Sequence, residues 1–124
     1  MTDCIFCRII NGDFGTEFVY ENEYAVVFKD LNPKADTHLL VVPREHVESL
    51  NEVSETLISK LMMTVKEVTQ KLGIKSYKTI INTGAEAGQT VFHLHIHILA
   101  GESRLGQAEL KMDIIERVHQ QVMV

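Results

Sequence analysis

Residues 91–99 read Val-Phe-His-Leu-His-Ile-His-Ile-Leu and carry three histidines at alternate positions, His93, His95 and His97. This alternation predicts a β-strand, because successive side chains of a strand point to opposite faces. Within such a strand the three imidazoles share one face at intervals of about 6.8 Å. The opposite face carries the apolar side chains of Phe92, Leu94, Ile96 and Ile98. The stretch therefore predicts a strand that packs against the core with one face and presents histidines on the other.

The chain before this stretch predicts three more strands and a short helix. Residues 17–29 contain two β-rich runs around polar residues 21–23, which is typical of a hairpin. Residues 39–42 continue the β-rich pattern and end at Pro43. Residues 5–10 are an apolar stretch before an Asn-Gly-Asp turn signal, and they predict one or two helical turns.

Residues 54–72 predict a long amphipathic helix, because apolar residues recur there at steps of four, four, three and four. Ser54 is a favourable N-cap and Gly73 a favourable stop. Residues 77–82 predict another strand. A C-terminal helix is predicted for residues 107–122, from the helical spacing of Leu110, Ile114, Ile115 and Val118. This order predicts an α+β domain with an antiparallel five-stranded sheet, one main helix and a C-terminal helix.

Composition and charge limit the function. The 124 residues are 45% hydrophobic and 23% charged, which predicts a single folded domain over residues 1–124. With 12 basic and 17 acidic residues the net charge is −5, which argues against nucleic-acid binding because that affinity depends on many Lys and Arg contacts to phosphate. No apolar run reaches the roughly 18 residues needed to cross a bilayer, and the N-terminus lacks the pattern of a secretion signal. We therefore expect a cytoplasmic protein that binds neither nucleic acid nor membranes.

The histidine face has three interpretations from the residues alone. These are a solvated polar surface, a metal site built from alternate strand histidines, and a site for nucleophilic or acid–base chemistry, of which the last is favoured. A loop with Gly84, Gly88, Gln89 and Thr90 enters the strand and supplies N–H groups, an amide and a hydroxyl that suit an oxyanion. Alone it is an ordinary loop with glycines, but beside three histidines it is a candidate phosphate site.

Five other polar residues are ambiguous. His38 and His46 flank the strand of residues 39–42, and each is expected at the surface or in a hydrogen bond rather than as a ligand. His119 is expected at the surface of the C-terminal helix. Asp30 and Asn82 lie at strand ends, where turn residues are common.

Cys4 and Cys7 are the only cysteines and are separated by two residues. A redox pair, two unrelated structural thiols and half of a zinc site all remain open, since tetrahedral zinc needs two more ligands. His46 and His93 are the best-placed candidates for those ligands if the N-terminal turn lies over the edge of the sheet.

The histidine stretch resembles a known family. Residues 93–99 match the histidine-triad pattern, His-x-His-x-His followed by two apolar residues, and residues 87–92 resemble the Gly-Gln-Ser/Thr-Val-Tyr/Phe segment that precedes it. The similarity continues through residues 35–43, 28–30 and 5–10. The chain is therefore similar to the histidine-triad (HIT) family, and most like its Hint branch of nucleoside phosphoramidases.

The resemblance implies a function and a set of site residues. His95 would attack the α-phosphate of a purine nucleoside 5′-phosphoramidate or acyl-nucleotide, and water would hydrolyse the nucleotidyl-histidine to release the nucleoside monophosphate. His97, His38 and Thr90 would support this reaction, and Asp30 would bind the ribose hydroxyls. The nucleotide-binding residues that the resemblance implies are Phe6, Ile9, Phe28, Asp30, Asn82, Gly88, Gln89 and Thr90.

The resemblance also implies a metal and a partner. Cys4, Cys7, His46 and His93 match zinc ligands of relatives, which implies one structural zinc ion per chain and no metal requirement for catalysis. It implies a homodimer in which two five-stranded sheets join. The chain departs from the family at residues 100–102, where Ala-Gly-Glu replaces a Gly-Gly-Arg segment, and it has no Trp. The resemblance therefore implies no particular leaving group.

Overall fold

The computed structural model describes residues 3–103 of the chain. Its strands are β1 (Tyr20–Glu21), β2 (Ala25–Lys29), β3 (Ala35–Pro43), β4 (Lys78–Ile80) and β5 (Ile96–Ser103). Its helices are α1 (Ile5–Ile10) and α2 (Glu55–Lys71), and a 3-10 turn spans Ala85–Ala87. All strand pairs are antiparallel, in the order β1-β2-β3-β5-β4. The predicted α+β class, five-stranded sheet and main helix are confirmed, whereas the predicted helix of residues 107–122, with His119, lies outside the described residues.

Helix α2 covers one face of the sheet. It begins after Ser54, whose Oγ accepts the N–H of Leu57 at 3.1 Å, and it ends before Gly73, whose φ of +70° suits a glycine. The buried side chains of the helix are Leu57, Leu61, Val65 and Val68. They pack against Val27, Val41, Ile96 and Ile98 of the sheet. The apolar spacing in the sequence thus gives the face that the helix buries.

The opposite face of the sheet carries α1 and the side chain of His97. Phe6 of α1 packs there against Phe28, with ring centroids 5.8 Å apart, and the cluster also includes Val26, Leu40 and Val42. Because Ile96 and Ile98 face α2, His97 between them faces the side of α1. The short N-terminal helix and the end of the histidine stretch therefore share one side of the sheet.

The histidine-bearing strand begins later than the alternation predicts. Strand β5 starts at Ile96, so the prediction of a strand from residue 91 is wrong for its first five residues. The Leu94 N–H donates to the carbonyl of Val47 at 2.8 Å, and this contact with a segment outside the sheet replaces a ladder bond. Phe92 is 47% exposed, so its predicted place in the core is also wrong.

The other element boundaries differ less. The hairpin of residues 17–29 forms as β1 and β2, and the Asn22 side chain closes its turn by accepting two backbone N–H groups at 2.9 Å. Strand β3 is longer than the predicted residues 39–42, and β4 is shorter than residues 77–82. Within residues 3–103, no helix combines the length and the apolar character that crossing a membrane requires.

Candidate active site and metal centre

The three triad histidines separate into two groups. His93 is fully buried and turns toward the two cysteines, whereas the rings of His95 and His97 lie 5.1 Å apart between centroids. The ring of His38 lies 5.2 Å from that of His97. In the part of the chain that the structure describes, no group of metal-binding atoms within 4.8 Å of one another contains all three triad histidines. The triad histidines therefore belong to two adjacent centres: His93 lies in a first centre with the cysteines, and His95 and His97 lie in a second centre beside His38.

The first centre consists of Cys4, Cys7, His46 and His93, whose four metal-binding atoms all lie within 4.8 Å of one another. Nδ1 of His93 lies 3.3 Å from Sγ of Cys4 and 3.6 Å from Sγ of Cys7. Nδ1 of His46 lies 3.3 Å from Sγ of Cys7 and 3.2 Å from Nδ1 of His93. Two thiols and two imidazoles are a donor set that suits tetrahedral zinc. We refer to these four residues as the Cys/His cluster.

Local structure explains how the cluster forms. Cys4 is the N-cap of α1 and its Sγ accepts the N–H of Cys7 at 3.3 Å, so the first helical turn brings both thiols together. Nε2 of His93 lies 2.8 Å from the carbonyl oxygen of Pro43, which only accepts, so Nε2 carries the proton and Nδ1 keeps its lone pair for the cluster. Burial lowers the pKa of His93 and raises that of Cys7, where the neighbouring Cys4 thiol adds to the effect. A neutral imidazole is ready to bind a cation, whereas the Cys7 thiol must lose its proton to do so.

His95 presents one defined ring nitrogen. Its side chain is 8% exposed, and its Nδ1 lies 2.8 Å from the carbonyl oxygen of His93. Nδ1 therefore carries the proton and donates it to that oxygen, which leaves the lone pair on Nε2. Burial lowers the pKa of His95, while the bond to the His93 carbonyl and the charge of Asp30 oppose that effect. A neutral imidazole with its lone pair on Nε2 is a competent nucleophile.

His38 and His97 form a hydrogen-bonded pair. Nε2 of His38 lies 2.9 Å from Nδ1 of His97, and the backbone N–H of Lys34 donates to Nδ1 of His38 at 3.0 Å. Since Nδ1 of His38 accepts, its proton lies on Nε2 and is donated to His97, whose own proton then lies on Nε2. Burial lowers the pKa of His38. Burial, and then the neighbouring His95 and His38, lower the pKa of His97 to about 4.

Asp30 lies beside this pair, directly after β2. Its Oδ1 accepts the N–H of Asn32 at 2.7 Å, and its Oδ2 lies 3.4 Å from Nε2 of His38. The turn at Asn32 thus fixes the carboxylate next to the histidines.

Leu31, which sequence reasoning does not single out, follows Asp30 directly and has a 96% exposed side chain. The only sequence signal for Leu31 is an apolar residue within a turn.

The glycine loop is a compact turn built around its own side chains. Gly84 and Gly88 flank the 3-10 turn with φ of +90° and +92°, values that glycine adopts without strain. The Asn82 side chain donates to the carbonyl of Ala87 at 2.9 Å and closes the loop from below. Thr90 is exposed at the end of the loop. Of the loop residues implied by the resemblance, Thr90 is the one whose side chain is free to reach a ligand from the surface.

Gln89 is 3% exposed, and both ends of its carboxamide are bound within the protein. Its Oε1 accepts the N–H of Gly84 at 2.9 Å, and its Nε2 donates to the carbonyls of Glu48 at 2.7 Å and Val91 at 3.1 Å. The geometry thus joins the loop to the segment that follows His46. A direct contact of this amide with a phosphate, which the resemblance implies, needs one of these bonds to break.

Aromatic and apolar side chains border His95. Phe6 lies edge-on to the His95 ring with centroids 5.0 Å apart, and Phe28 packs behind Phe6. Ile9 is half-buried at the same cluster, together with Phe18, which the sequence analysis missed and whose ring lies 6.4 Å from that of Phe28. The predicted apolar residues are thus together on the α1 side of the sheet.

Comparison with known proteins agrees with this geometry. Residues 11–104 match the family model of the HIT domain. The chain is 44% identical over 103 residues to Protein HitA of Neisseria gonorrhoeae, which covers 80% of this chain and 96% of that protein.

Two solved structures extend the comparison. A HIT family hydrolase from Legionella pneumophila Philadelphia 1 is 31% identical with a TM-score of 0.76, and the match covers 82% of this chain and 95% of that chain. A Zn-bound histidine triad family protein from Mycobacterium smegmatis is 27% identical with a TM-score of 0.74, and the match covers 82% of this chain and 76% of that chain. The family model spans most of the sequence, including the whole histidine stretch, and this chain belongs to the HIT family.

Proposed function

We propose that this protein is a nucleotide hydrolase that cleaves purine nucleoside 5′-phosphoramidates or acyl-nucleotides through a covalent nucleotidyl intermediate on His95. The observation that carries the proposal is the 2.8 Å contact between Nδ1 of His95 and the carbonyl oxygen of His93. It holds the proton on Nδ1 and aims a neutral Nε2 lone pair for attack. Membership of a family that includes hydrolases supports the reaction class.

The proposed reaction has two steps. With a phosphoramidate, Nε2 of His95 forms a bond to the α-phosphorus and the phosphorus–nitrogen bond to the leaving amine breaks. One water molecule supplies a proton to the amine nitrogen and then its hydroxyl to phosphorus, as the bond between Nε2 and phosphorus breaks. The nucleoside monophosphate and the amine leave, and His95 returns to its neutral form with the proton still on Nδ1.

Fixed hydrogen-bond donors would stabilise the phosphoryl oxygens during both steps. His38 donates to Nδ1 of His97, so His97 offers its Nε2–H to a bound phosphate. Thr90 offers a hydroxyl at the surface end of the glycine loop. Donors held in place before reaction act without reorganisation when the charge develops. The backbone of the glycine loop would be held in place for this by Gly88 and by the side chains of Asn82 and Gln89.

The nucleoside would lie between α1 and the end of β2. Phe6, Ile9 and Phe28 would form the apolar wall for the base, because their side chains cluster on the face that carries His95. Asp30 would accept hydrogen bonds from the ribose hydroxyls, since the turn at Asn32 holds its carboxylate beside His38. A carboxylate that accepts from a hydroxyl pair selects ribose over deoxyribose.

The Cys/His cluster would hold one structural zinc ion. The donor set fits, because the four atoms lie within 4.8 Å of one another and His93 keeps its Nδ1 lone pair for the cluster. The Zn-bound relative supports the choice of metal. Bound zinc would cross-link the start of α1 to the segments that follow β3 and precede β5, and the hydrolytic steps would proceed on His95 without a metal.

The homodimer that the resemblance implies and the cytoplasmic location that the sequence pattern predicts both stay predictions. Strand β4 ends the sheet of the described residues, so a second copy that pairs there would join two sheets into one. Light scattering of the purified protein tests the dimer.

Rapid mixing with adenosine 5′-phosphoramidate, followed by intact-mass measurement, tests the proposed chemistry. We expect wild type to gain the mass of a nucleotidyl group, or to release AMP rapidly, whereas the His95→Ala variant does neither but still binds AMP. A His95→Gly variant with added imidazole should regain part of the activity, because the free base can occupy the position of the missing ring. Turnover by His95→Ala at the wild-type rate would contradict the mechanism, and tight AMP binding without hydrolysis by wild type would favour a nucleotide-binding interaction protein.

A second candidate function has one specific observation in its favour. Asp30, His38 and His97 also bring three metal-binding atoms within 4.8 Å of one another, which is a ligand number found in catalytic zinc sites. A zinc-dependent hydrolase would use a metal there to activate water. Turnover that a chelator abolishes, in a protein that keeps its Cys/His cluster loaded and forms no nucleotidyl adduct, would favour this candidate.

A further inference from the structure

We propose that the Cys/His cluster is a positioning device for His95: the cluster fixes the ring of the nucleophile and the aromatic wall beside it, in addition to stabilising the fold. The inference rests on the proposed function only for the statement that His95 is the nucleophile. Its structural content is that two separate routes connect the cluster to the His95 ring.

The first route runs through His93. Its Nδ1 belongs to the cluster and its Nε2–H donates to the Pro43 carbonyl at 2.8 Å, so both ring nitrogens are held. The backbone carbonyl of the same residue accepts the Nδ1–H of His95 at 2.8 Å. Since β5 begins only at Ile96, no strand ladder holds residues 93–95 in place. The peptide that carries the accepting carbonyl is held by the Leu94 N–H, which donates to Val47, and by the His93 ring, so the position of this carbonyl depends in part on the anchoring of that ring.

The second route runs through α1. Phe6 lies between Cys4 and Cys7 in the sequence, is 7% exposed and contacts the edge of the His95 ring at 5.0 Å between centroids. Helix α1 has six residues, far fewer than the roughly 12 that an isolated helix needs to be stable in water, so tertiary contacts must hold it. The Cys4 and Cys7 thiols at its first turn provide polar contacts of this kind, to His46 and His93. Release of the thiols would free Phe6 to move away from His95.

His46 connects the cluster to the rest of the site. The carbonyls of the two residues after it accept hydrogen bonds from segments of the candidate site: that of Val47 accepts the Leu94 N–H at 2.8 Å, and that of Glu48 accepts an Nε2–H of Gln89 at 2.7 Å. A cluster that holds the His46 ring thus also fixes the segment that supports both the triad and the glycine loop. The two routes and the segment after His46 thus all end at His95 or beside it.

Two measurements that need no turnover test the proposal. Long-range ¹H–¹⁵N correlation spectra report which ring nitrogen of His95 carries the proton, and calorimetry reports AMP affinity. In the zinc-loaded protein we expect a single form of His95 with the proton on Nδ1. After removal of zinc by a chelator, in protein that is still folded, we expect a mixture of both ring forms and an AMP affinity lower by about tenfold or more.

Ser54→Ala is the matched control, because it removes the α2 N-cap and lowers the stability of the fold without touching either route. Its His95 spectrum and AMP affinity should equal those of wild type. If the stripped protein unfolds, the zinc-loaded His93→Asn variant, which keeps three cluster ligands and removes the ring that anchors the first route, takes its place with the same expectation. An unchanged His95 form and unchanged AMP affinity, in the stripped protein or in that variant, would overturn the proposal and leave the cluster a purely stabilising role.

The outcomes separate this proposal from the proposed function. A zinc-sensitive His95 ring in a protein that never hydrolyses the phosphoramidate supports the positioning role and defeats the hydrolase. Normal hydrolysis with a His95 ring that ignores zinc supports the hydrolase and defeats the positioning role.

Discussion

Nε2 of His38 and Nδ1 of His97 lie 2.9 Å apart, on neighbouring strands of one sheet. The Lys34 N–H occupies the other nitrogen of His38, so the proton order along this pair is fixed by the backbone of the β2–β3 turn. His97 consequently offers an N–H, and not a lone pair, to a ligand. The Lys34 N–H in the β2–β3 turn thus determines, through His38, that Nε2 of His97 is a hydrogen-bond donor in the candidate active site.

Replacing His38 by Leu should lower kcat for adenosine 5′-phosphoramidate by about 100-fold, the usual cost of losing one fixed donor to a phosphoryl or oxyanion group. The variant leaves Nδ1 of His97 without its donor, so the His97 proton is free to occupy either nitrogen. His38→Gln keeps an N–H donor at this position and should lose much less activity. AMP affinity should change little in both variants. Equal kcat values for the Leu and Gln variants would exclude this role of the pair.

The low pKa of His97 should make the protein less stable in acid. The folded pKa of about 4 lies below the unfolded value of about 6.5, so the folded state disfavours protonation. The contribution of neutral His97 is complete above pH 6.5 and is lost as the pH falls toward 4, at about 1.4 kcal/mol per pH unit for one such group. His38, His95 and Lys34 oppose protonation of this ring, and Asp30 favours it.

Urea unfolding of wild type and His97→Gln between pH 7 and pH 4 measures this effect. Protons that other groups take up, including the cluster residues, act on both proteins and cancel in the difference. Wild type should lose stability relative to the variant as the pH falls. Parallel curves for the two proteins would mean that the His97 pKa is not lowered.

Gln89 should act by positioning the glycine loop. The Gln89→Glu variant loses the two N–H donations to the carbonyls of Glu48 and Val91 and places a carboxylate against them. We expect kcat to fall by about 100-fold, and by the same factor for substrates with different leaving amines. Glu86→Gln, on the exposed part of the same loop, is the matched control and should keep wild-type activity. A loss that depends on the leaving amine would instead indicate direct contact of Gln89 with substrate.

Local patterns in the sequence predict most of the fold. The apolar spacing of α2, its Ser54 cap and the hairpin of residues 17–29 all appear where short-range rules place them. The error at residues 91–95 has a long-range cause, because the bond from Leu94 to Val47 joins segments far apart in the sequence. No local pattern reports such a contact, and Phe92 was therefore predicted in the core when its side chain is exposed.

The candidate site is less accessible to sequence reasoning than the fold. Spacing alone leaves the Cys4–Cys7 pair open between redox, structural and metal roles, with His46 and His93 as the best-placed further ligands, and the resemblance then favours zinc. The structure brings the four together because α1 folds back over the end of β3. The backbone carbonyls of Pro43 and His93, which fix two histidine rings, carry no sequence signal, since every residue has a carbonyl.

Asp30 should distinguish ribose from its deoxygenated analogues. We expect Asp30→Asn to weaken AMP binding by about 10- to 100-fold, the value of a hydrogen bond to a charged group. The substituted side chain keeps an oxygen for the Asn32 N–H, so the turn should stay intact. The analogue 2′,3′-dideoxy-AMP lacks both hydroxyls. Wild type and variant should bind it with the same affinity, which should be weaker than the affinity of wild type for AMP.

Calorimetry of the two proteins with the two nucleotides completes this double-mutant cycle. Glu67→Gln makes the same carboxylate-to-amide change on α2, across the sheet from the site, and should bind both nucleotides as wild type does. If Asp30→Asn weakens both nucleotides by the same factor, the carboxylate acts through the general charge of the site or through His38. A loss confined to AMP places the ribose hydroxyls at Asp30, and with them the orientation of the α-phosphate toward His95.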